Sequence, residues 1–241
     1  MNIFYTVLFA IGVSLISYLM GSFPTARLIA KSHGIDITKV GSGNAGGTNV
    51  GRSVGKKAGI LTIALDAFKC FLACMLTFVF ISYVPMNLVT FPHMAETFVA
   101  ISAITCSIGH SFPLFGKYPG GKCVACFGGY VLFIAPIVAL IGLTVFLITF
   151  FISKRVSIAS LVGAPVTLIV ALVPMVLDFT IVKDDTLFNG GMYYAPSFML
   201  HITYVSALAL LALVILIYIR HKANIKRIQK NEEPETHFKK D

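Results

Sequence analysis

Residues 123–152, "CVACFGGYVLFIAPIVALIGLTVFLITFFI", form a run of mostly apolar residues without a single charge. As one helix it would be about 45 Å long, whereas the hydrocarbon core of a bilayer is about 30 Å thick. Tilt can absorb part of this excess. Alternatively, Pro136 interrupts the helix and the stretch contains two short spans. The number of membrane crossings depends on this choice.

The distribution of basic residues favours two spans. The other apolar runs long enough to cross a bilayer are 3–22, 59–84, 96–112, 158–178 and 198–219. With two spans in 123–152, 17 of the 19 lysine and arginine residues share one side, in segments 27–57, 117–122, 154–155 and 220–241. Basic loops remain in the cytoplasm. The sequence therefore predicts an all-α polytopic membrane protein with about seven transmembrane helices, its N-terminus outside and its C-terminus cytoplasmic.

Composition excludes several classes of protein. Only 12% of the residues are charged, about half the share usual in soluble domains. The net charge of +9 is concentrated at the ends of apolar runs, which argues against a nucleic-acid partner. Five cysteines form neither a disulfide framework nor a metal-ligand pattern, so we expect small apolar helix residues, no metal and no cofactor. We predict one domain over 1–228 and a mobile cytoplasmic tail over 229–241.

The first polar stretch is "VGSGNAGGTNVGR", residues 40–52. Its glycines permit tight turns that expose backbone N–H groups, and Arg52 offers a planar fork for phosphate. Short polar donors accompany it, namely Ser42, Asn44, Thr48 and Asn49. The glycine spacing fits neither a P-loop nor a dinucleotide fingerprint. The stretch predicts a phosphate cradle, the alternative being a flexible solvated loop.

The second polar stretch is "GHSFPLFGKYPGGKCVA", residues 109–125. Gly120 and Gly121 precede a predicted helix, and a helix N-terminus behind glycines is a natural seat for phosphate. Lys117 and Lys122 add positive charge. His110, at the end of a span, is either a general base or a structural residue.

The third polar element is discontinuous. Ser157 and Ser160 follow a basic turn, and the segment 220–235 places His221 and Asn224 on one helical face. The alternative for that segment is a tail that binds anionic lipid headgroups. Within the second span, Asp66 and Lys69 are three residues apart and can pair, which makes their burial in the membrane tolerable.

Taken together, the stretches "GSFPTARLIAK", "GSGNAGGTNVGR", "GHSFPLFGKYPGGKCVA" and "HKANIKR…EEPE" resemble the bacterial acyl-phosphate-dependent glycerol-3-phosphate acyltransferases. The resemblance implies a multi-pass enzyme of the bacterial plasma membrane whose active site faces the cytoplasm. It implies transfer of a fatty acyl group from acyl phosphate to the 1-hydroxyl of glycerol 3-phosphate, giving lysophosphatidic acid and phosphate. This is the first step of phospholipid biosynthesis. We expect a monomer with a functional link to the enzyme that makes acyl phosphate.

The resemblance also implies roles for individual residues. The expected catalytic residues are Ser42, Arg52, His110, Lys122, His221 and Asn224. Glycerol 3-phosphate is expected to contact Ser42, Asn44, Thr48, Asn49, Arg52 and Asn224. Acyl phosphate is expected to contact Gly109, Lys117, Gly120, Gly121, Lys122 and Ser160. Structural roles are expected for Asp66, Lys69 and Glu233.

The chain departs from the family pattern at five positions. Ala45, Gly47 and Gly51 replace Pro, Ala and Leu in the first motif, which predicts a more pliable loop. Cys123 and Cys126 replace Gly and Thr in the second motif, within the expected donor site. The rival interpretation is a transporter of a phosphorylated small metabolite, and a third is a structural membrane protein with a lipid-binding tail. The proton acceptor is either His110 or a phosphate oxygen of the substrate.

Overall fold

The computed structural model describes residues 3–83, 94–114, 120–181 and 202–239. These ranges contain helices and loops but no strand. The helices are α1 (Ile3–Ser22), α2 (Thr25–Ser32), α3 (Gly47–Ser53), α4 (Lys56–Tyr83), α5 (Met94–Ser111), α6 (Val124–Ile134), α7 (Pro136–Ser153), α8 (Val156–Ile181), α9 (Tyr204–Arg220) and α10 (Lys222–Gln229).

The long apolar stretch is broken where the sequence predicts. Helix α6 ends at Ile134 and α7 begins at Pro136, with Ala135 between them in a non-helical conformation. Proline fits the first position of α7 because the N–H group that it lacks would have no partner inside the helix. The predicted break at Pro136 is confirmed, whereas two membrane spans within 123–152 stay a prediction.

The helices have the length and composition of a membrane protein. Within the described ranges, four segments are long and apolar enough to cross a bilayer, at Ile3–Ser32, Lys56–Ile81, Pro136–Ser153 and Val156–Val173. A fifth is added if α9 and α10, which meet at 61°, form one broken span. Helix α6 is a shorter apolar helix of 11 residues. The all-helical membrane fold is confirmed, whereas the count of seven spans and the sides of the termini stay predictions.

Small residues bring the first and fifth helices together. A Cβ atom at Gly109 would collide with the carbonyl of Tyr18, and one at Gly21 with the carbonyl of Cys106. Close backbone approach through small residues is a common way to join helices in a membrane. Gly109, expected to contact acyl phosphate, therefore lies in a helix–helix contact.

The five cysteines are buried and none forms a disulfide. Four lie within α4, α5 and α6, as expected for small apolar residues. Cys123 differs, because it caps the N-terminus of α6 with a left-handed φ of 69°. This conformation is unfavourable for a residue with a side chain.

The segment after α10 lies against the helices. We call residues 233–239 the C-terminal strap. Its backbone pairs with α3 and with the start of α4: the Lys239 N–H donates to the Gly51 carbonyl at 3.0 Å, and the Lys56 N–H donates to the Lys239 carbonyl at 3.1 Å. The predictions of a single domain over 1–228 and of a mobile tail stay predictions.

Candidate active site

The three polar stretches line one cavity of about 1430 Å³. Its polar end contains most of the predicted site residues, namely Ser42, Asn44, Thr48, Asn49, Arg52, His110, Gly121, Lys122, Ser160, His221 and Asn224. Asp66 and Glu233 also line it. Gly109 and Gly120 are not among the residues that line it. Lys117 is outside the described residues.

Asn49 holds the first loop in shape. Its side chain is buried, and its Nδ2 donates to the carbonyls of Ile37 at 3.0 Å, Val40 at 3.0 Å and Asn44 at 3.1 Å. Its Oδ1 accepts the Ser42 N–H at 3.0 Å. Because its polar atoms are used within the protein, Asn49 orders the loop around Ser42.

Gly47 and Gly51, which replace alanine and leucine of the family pattern, lie in helix α3, and close packing explains both glycines. A Cβ atom at Gly47 would clash with Ile63 on α4, and one at Gly51 would lie 2.6 Å from the ring of Phe238. Gly51 occupies the position where the family pattern has leucine, and the Phe238 ring of the strap covers it. Close packing against Ile63 and Phe238 therefore restrains the backbone at the two glycines.

Arg52 presents an incompletely satisfied guanidinium to the cavity. Its Nη2 donates to Thr236 Oγ1 at 2.9 Å. Its Nε is buried and has no hydrogen-bond partner among the described residues. Burial lowers the pKa of Arg52, and the negative charge of Glu233 opposes that change. A buried cation with an unused N–H suits an anionic ligand.

The glycine turn of the second stretch is fixed by groups on both sides. The Gly121 N–H donates to the His110 carbonyl at 3.1 Å, and a Cβ atom at Gly121 would collide with the His110 ring. Arg220 Nη2 donates to the Gly120 carbonyl at 3.0 Å, and its Nε to the Gly121 carbonyl at 3.3 Å. Sequence reasoning missed Arg220, whose only signal was a cation next to His221.

Lys122 follows this turn and lies deep in the site. Its Nζ donates to Asn224 Oδ1 at 2.7 Å. Burial lowers the pKa of Lys122 to about 8, against the opposing charge of Glu233. The lysine still carries a proton in most molecules at neutral pH.

A buried polar cluster surrounds His110. Lys69 Nζ lies 2.8 Å from Asp66 Oδ1 and donates to His110 Nδ1 at 3.0 Å. Thr25, a further residue missed from the sequence, donates to Asp66 Oδ1 at 2.5 Å. Because an ammonium group only donates, His110 Nδ1 is the acceptor and the neutral ring carries its proton on Nε2.

Glu233 connects the two parts of the third polar element through hydrogen bonds. Ser157 Oγ donates to Glu233 Oε1 at 2.6 Å, and Asn224 Nδ2 donates to the same oxygen at 2.7 Å. Arg227 Nε donates to Oε2 at 2.8 Å. Burial alone would raise the pKa of Glu233, but these three hydrogen bonds outweigh it and lower the pKa. Glu233 therefore joins α8, α10 and the strap as a carboxylate.

His221 contacts the helix that precedes it. Its Nδ1 lies 2.8 Å from the Ile217 carbonyl. A carbonyl only accepts, so Nδ1 donates and a neutral ring has its lone pair on Nε2. The two histidines at the cavity thus carry opposite tautomers.

The other end of the cavity is apolar. It is lined by residues of α6, α7 and α8, including Val131, Leu132, Leu140, Leu143 and Phe146. Gly128 also lines it, and a Cβ atom there would meet nothing within 4 Å. We call this part the apolar groove. A single cavity thus combines a cationic end with space for a hydrocarbon chain.

Comparisons with known proteins agree with this geometry. The family model described as glycerol-3-phosphate acyltransferase matches residues 11–231. A glycerol-3-phosphate acyltransferase of Bacillus subtilis (strain 168) is 35% identical over 221 residues, which cover 91% of this chain and 94% of that one. One from Chlorobium chlorochromatii (strain CaD3) is 33% identical over 235 residues, with 95% and 98% covered.

The fold is also similar to two solved structures. They are crystal structures of PlsY (YgiH), an integral membrane glycerol 3-phosphate acyltransferase. The glycerol 3-phosphate form superposes with a TM-score of 0.74 at 27% identity, covering 95% of this chain and 96% of that one. The lysophosphatidic acid form gives a TM-score of 0.72, with 94% of each chain covered. The chain therefore belongs to the glycerol-3-phosphate acyltransferase family and is an integral membrane acyltransferase.

Proposed function

We propose that this acyltransferase moves a fatty acyl group from acyl phosphate to the 1-hydroxyl of sn-glycerol 3-phosphate, producing lysophosphatidic acid and inorganic phosphate. The observation that carries the proposal is the shared cavity, where Arg52 and Lys122 lie at the polar end and the apolar groove begins beside them. Two phosphate-bearing substrates, one with a hydrocarbon chain, match this division. We further propose that the site faces the cytoplasm at the plasma membrane.

Glycerol 3-phosphate binds at Arg52 in this proposal. The Arg52 guanidinium, which lines the cavity, donates to a phosphate oxygen, and the loop ordered by Asn49 supplies Ser42 and its neighbours as further donors. Charge-assisted hydrogen bonds of this kind orient the substrate as well as hold it. The glycerol hydroxyls then point towards the second stretch.

Acyl phosphate binds with its head at Gly121 and Lys122, near the N-terminus of α6. Helix N-termini favour anions, and the Lys122 ammonium adds a full charge. The hydrocarbon chain lies along the apolar groove between α6, α7 and α8. This arrangement brings the acyl carbon close to the acceptor.

In the reaction, the 1-hydroxyl oxygen forms a bond to the acyl carbon, and the bond from that carbon to the phosphate oxygen breaks. Phosphate leaves with the electron pair, and the hydroxyl proton passes to a phosphate oxygen of the substrate. Fixing the reactants together supplies several kcal/mol, up to about 7–11 in favourable cases. Lys122 and backbone N–H groups stabilise charge that develops on the anhydride oxygens.

His110 is a poor general base in this arrangement. Its Nδ1 already accepts from Lys69 at 3.0 Å, so the neutral ring has no free lone pair for the hydroxyl proton. We propose instead that His110 fixes the Gly121 turn, which it contacts through both its ring and its carbonyl. Of the two proton acceptors left open by the sequence, the substrate phosphate is favoured.

The test uses detergent-purified protein and labelled glycerol 3-phosphate with palmitoyl phosphate, palmitoyl-coenzyme A or palmitoyl-acyl-carrier protein. Of the three donors, we expect only palmitoyl phosphate to react, giving lysophosphatidic acid and phosphate in equal amounts. Turnover with either thioester but not with palmitoyl phosphate would refute the proposed donor. A folded protein inactive with all three would refute acyl transfer and favour a transporter of a phosphorylated metabolite.

A further inference from the structure

The C-terminal strap contacts Arg52 through the side chain of Thr236. Thr236 Oγ1 accepts from Arg52 Nη2 at 2.9 Å, across 184 positions of sequence. The contact lies beside the cavity, where the Nε of the same guanidinium has no partner among the described residues. Thr236 itself does not line the cavity. Its hydroxyl therefore acts on a ligand indirectly, through the guanidinium that it contacts.

Thr236 is itself held at a fixed place. Its backbone N–H donates to the Lys154 carbonyl at 2.8 Å, and its Oγ1 also accepts the Val156 N–H at 3.3 Å. Lys154 lies in the short turn between α7 and α8, and Val156 is the first residue of α8. The hydroxyl that accepts the Arg52 hydrogen bond is thus also hydrogen-bonded to α8, one of the helices that line the apolar groove.

The strap is tied down on either side of Thr236. Before it, Glu233 accepts from Ser157, Asn224 and Arg227. After it, Phe238 covers Gly51, and Lys239 pairs with the backbone at both ends of the α3–α4 junction. Helix α3, which contains Arg52, has only seven residues. These contacts therefore determine its position.

From these contacts we infer that Thr236 is a positioning residue for the phosphate-binding arginine. Arginine has a long flexible side chain whose ordering costs conformational entropy. The Thr236 hydroxyl fixes one end of the guanidinium before the ligand arrives, so its remaining N–H groups are already oriented. The inference rests on the proposed function, since it requires glycerol 3-phosphate at Arg52.

The experiment compares Thr236→Val, which keeps the shape but removes the hydroxyl, with Thr236→Ser, which retains it. His237→Gln is the matched control, because His237 lies next along the strap and is 85% exposed. We expect Thr236→Val to raise the KM for glycerol 3-phosphate about tenfold, as for loss of a hydrogen bond to a charged group. The KM for palmitoyl phosphate should stay within about twofold of wild type. Thr236→Ser and His237→Gln should resemble wild type.

An unchanged KM for glycerol 3-phosphate in Thr236→Val would overturn the inference, as would equal losses for both substrates or failure of serine to rescue. If Thr236→Val does not fold, Thr236→Ala makes the same test with less steric demand.

A second readout is the rise in Tm caused by glycerol 3-phosphate, which requires no turnover. We expect this rise in wild type and a smaller one in Thr236→Val; no rise in wild type would also overturn the inference. Wild type that binds glycerol 3-phosphate but makes no lysophosphatidic acid would refute only the proposed reaction.

Discussion

Lys122 and Asn224 are joined by a 2.7 Å hydrogen bond, from Nζ of the lysine to Oδ1 of the amide. The other end of the Asn224 amide donates to Glu233 at 2.7 Å. An amide has one accepting and one donating end, so its orientation is determined by a cation on one side and a carboxylate on the other. Asn224 thereby links the proposed donor site to the C-terminal strap.

Replacing this amide with a carboxylate should disable the site. In Asn224→Asp, two carboxylates would face each other where the amide now donates to Glu233, and like charges at such distance are strongly unfavourable. We expect kcat/KM to fall by about 100-fold or more, as when one preorganised catalytic group is lost. Steady-state kinetics measure this loss. Asn231→Asp adds the same charge at an exposed residue of the turn after α10 and should retain activity; equal losses in both variants would show a general charge effect.

The pKa of Lys122, lowered to about 8 by burial, predicts an alkaline limit to activity. The site needs the ammonium form, which is present below pH 8 and lost above it. We therefore expect kcat/KM to decline above about pH 8, and the profile is measured after subtraction of uncatalysed acyl phosphate hydrolysis. Lys122→Arg should move the decline to higher pH, because arginine stays charged. The same alkaline limb in wild type and Lys122→Arg would contradict the assignment.

The apolar groove should limit which acyl chains react. A Cβ atom at Gly128 would meet nothing within 4 Å, so the side chain of Gly128→Leu can extend into the groove. We expect a rise in KM for palmitoyl phosphate that shrinks as the acyl chain is shortened, measured over a series of acyl phosphates. Gly12→Leu is the control, since Gly12 also has open space but lies on α1, away from the cavity. A loss independent of chain length would contradict this location for the acyl chain.

The left-handed backbone of Cys123 should make that position sensitive to side-chain shape. A β-branched residue is strongly disfavoured at the φ of 69° found there. We expect Cys123→Val to lower Tm by about 2–8 °C, from an added strain of about 1–2 kcal/mol. Cys123→Gly should change it less, because glycine accepts this conformation. Cys126→Val provides the comparison, because Cys126 is also fully buried but lies within α6. An equal fall in Tm in that variant would show that packing alone causes the effect.

Local chemistry explains which features could be predicted from the sequence. The break at Pro136 follows from the proline ring, and the left-handed turns at Gly41 and Gly43 follow from glycine. Helix α3 over Gly47–Ser53 was not predicted, because its glycines indicated further turns. The contacts of Arg220 with the Gly120 carbonyl and of Thr236 with Arg52 could not be predicted, because each joins residues 100 or more positions apart. The tautomer of His110 could not be predicted either, because it depends on Lys69 of another helix. The sequence thus identifies the groups of the site, whereas tertiary packing decides which of them remain free to act.

Both acyl transfer and the phosphate cradle are tested by lysophosphatidic acid formation from palmitoyl phosphate and labelled glycerol 3-phosphate. The proteins compared are purified wild type, Arg52→Ala and Arg52→Lys. We predict product from wild type, none above background from folded Arg52→Ala, and a raised KM for glycerol 3-phosphate in Arg52→Lys, since lysine keeps the charge but not the planar fork. Full activity in Arg52→Ala would contradict the phosphate cradle. No product from well-folded wild type would contradict acyl transfer itself.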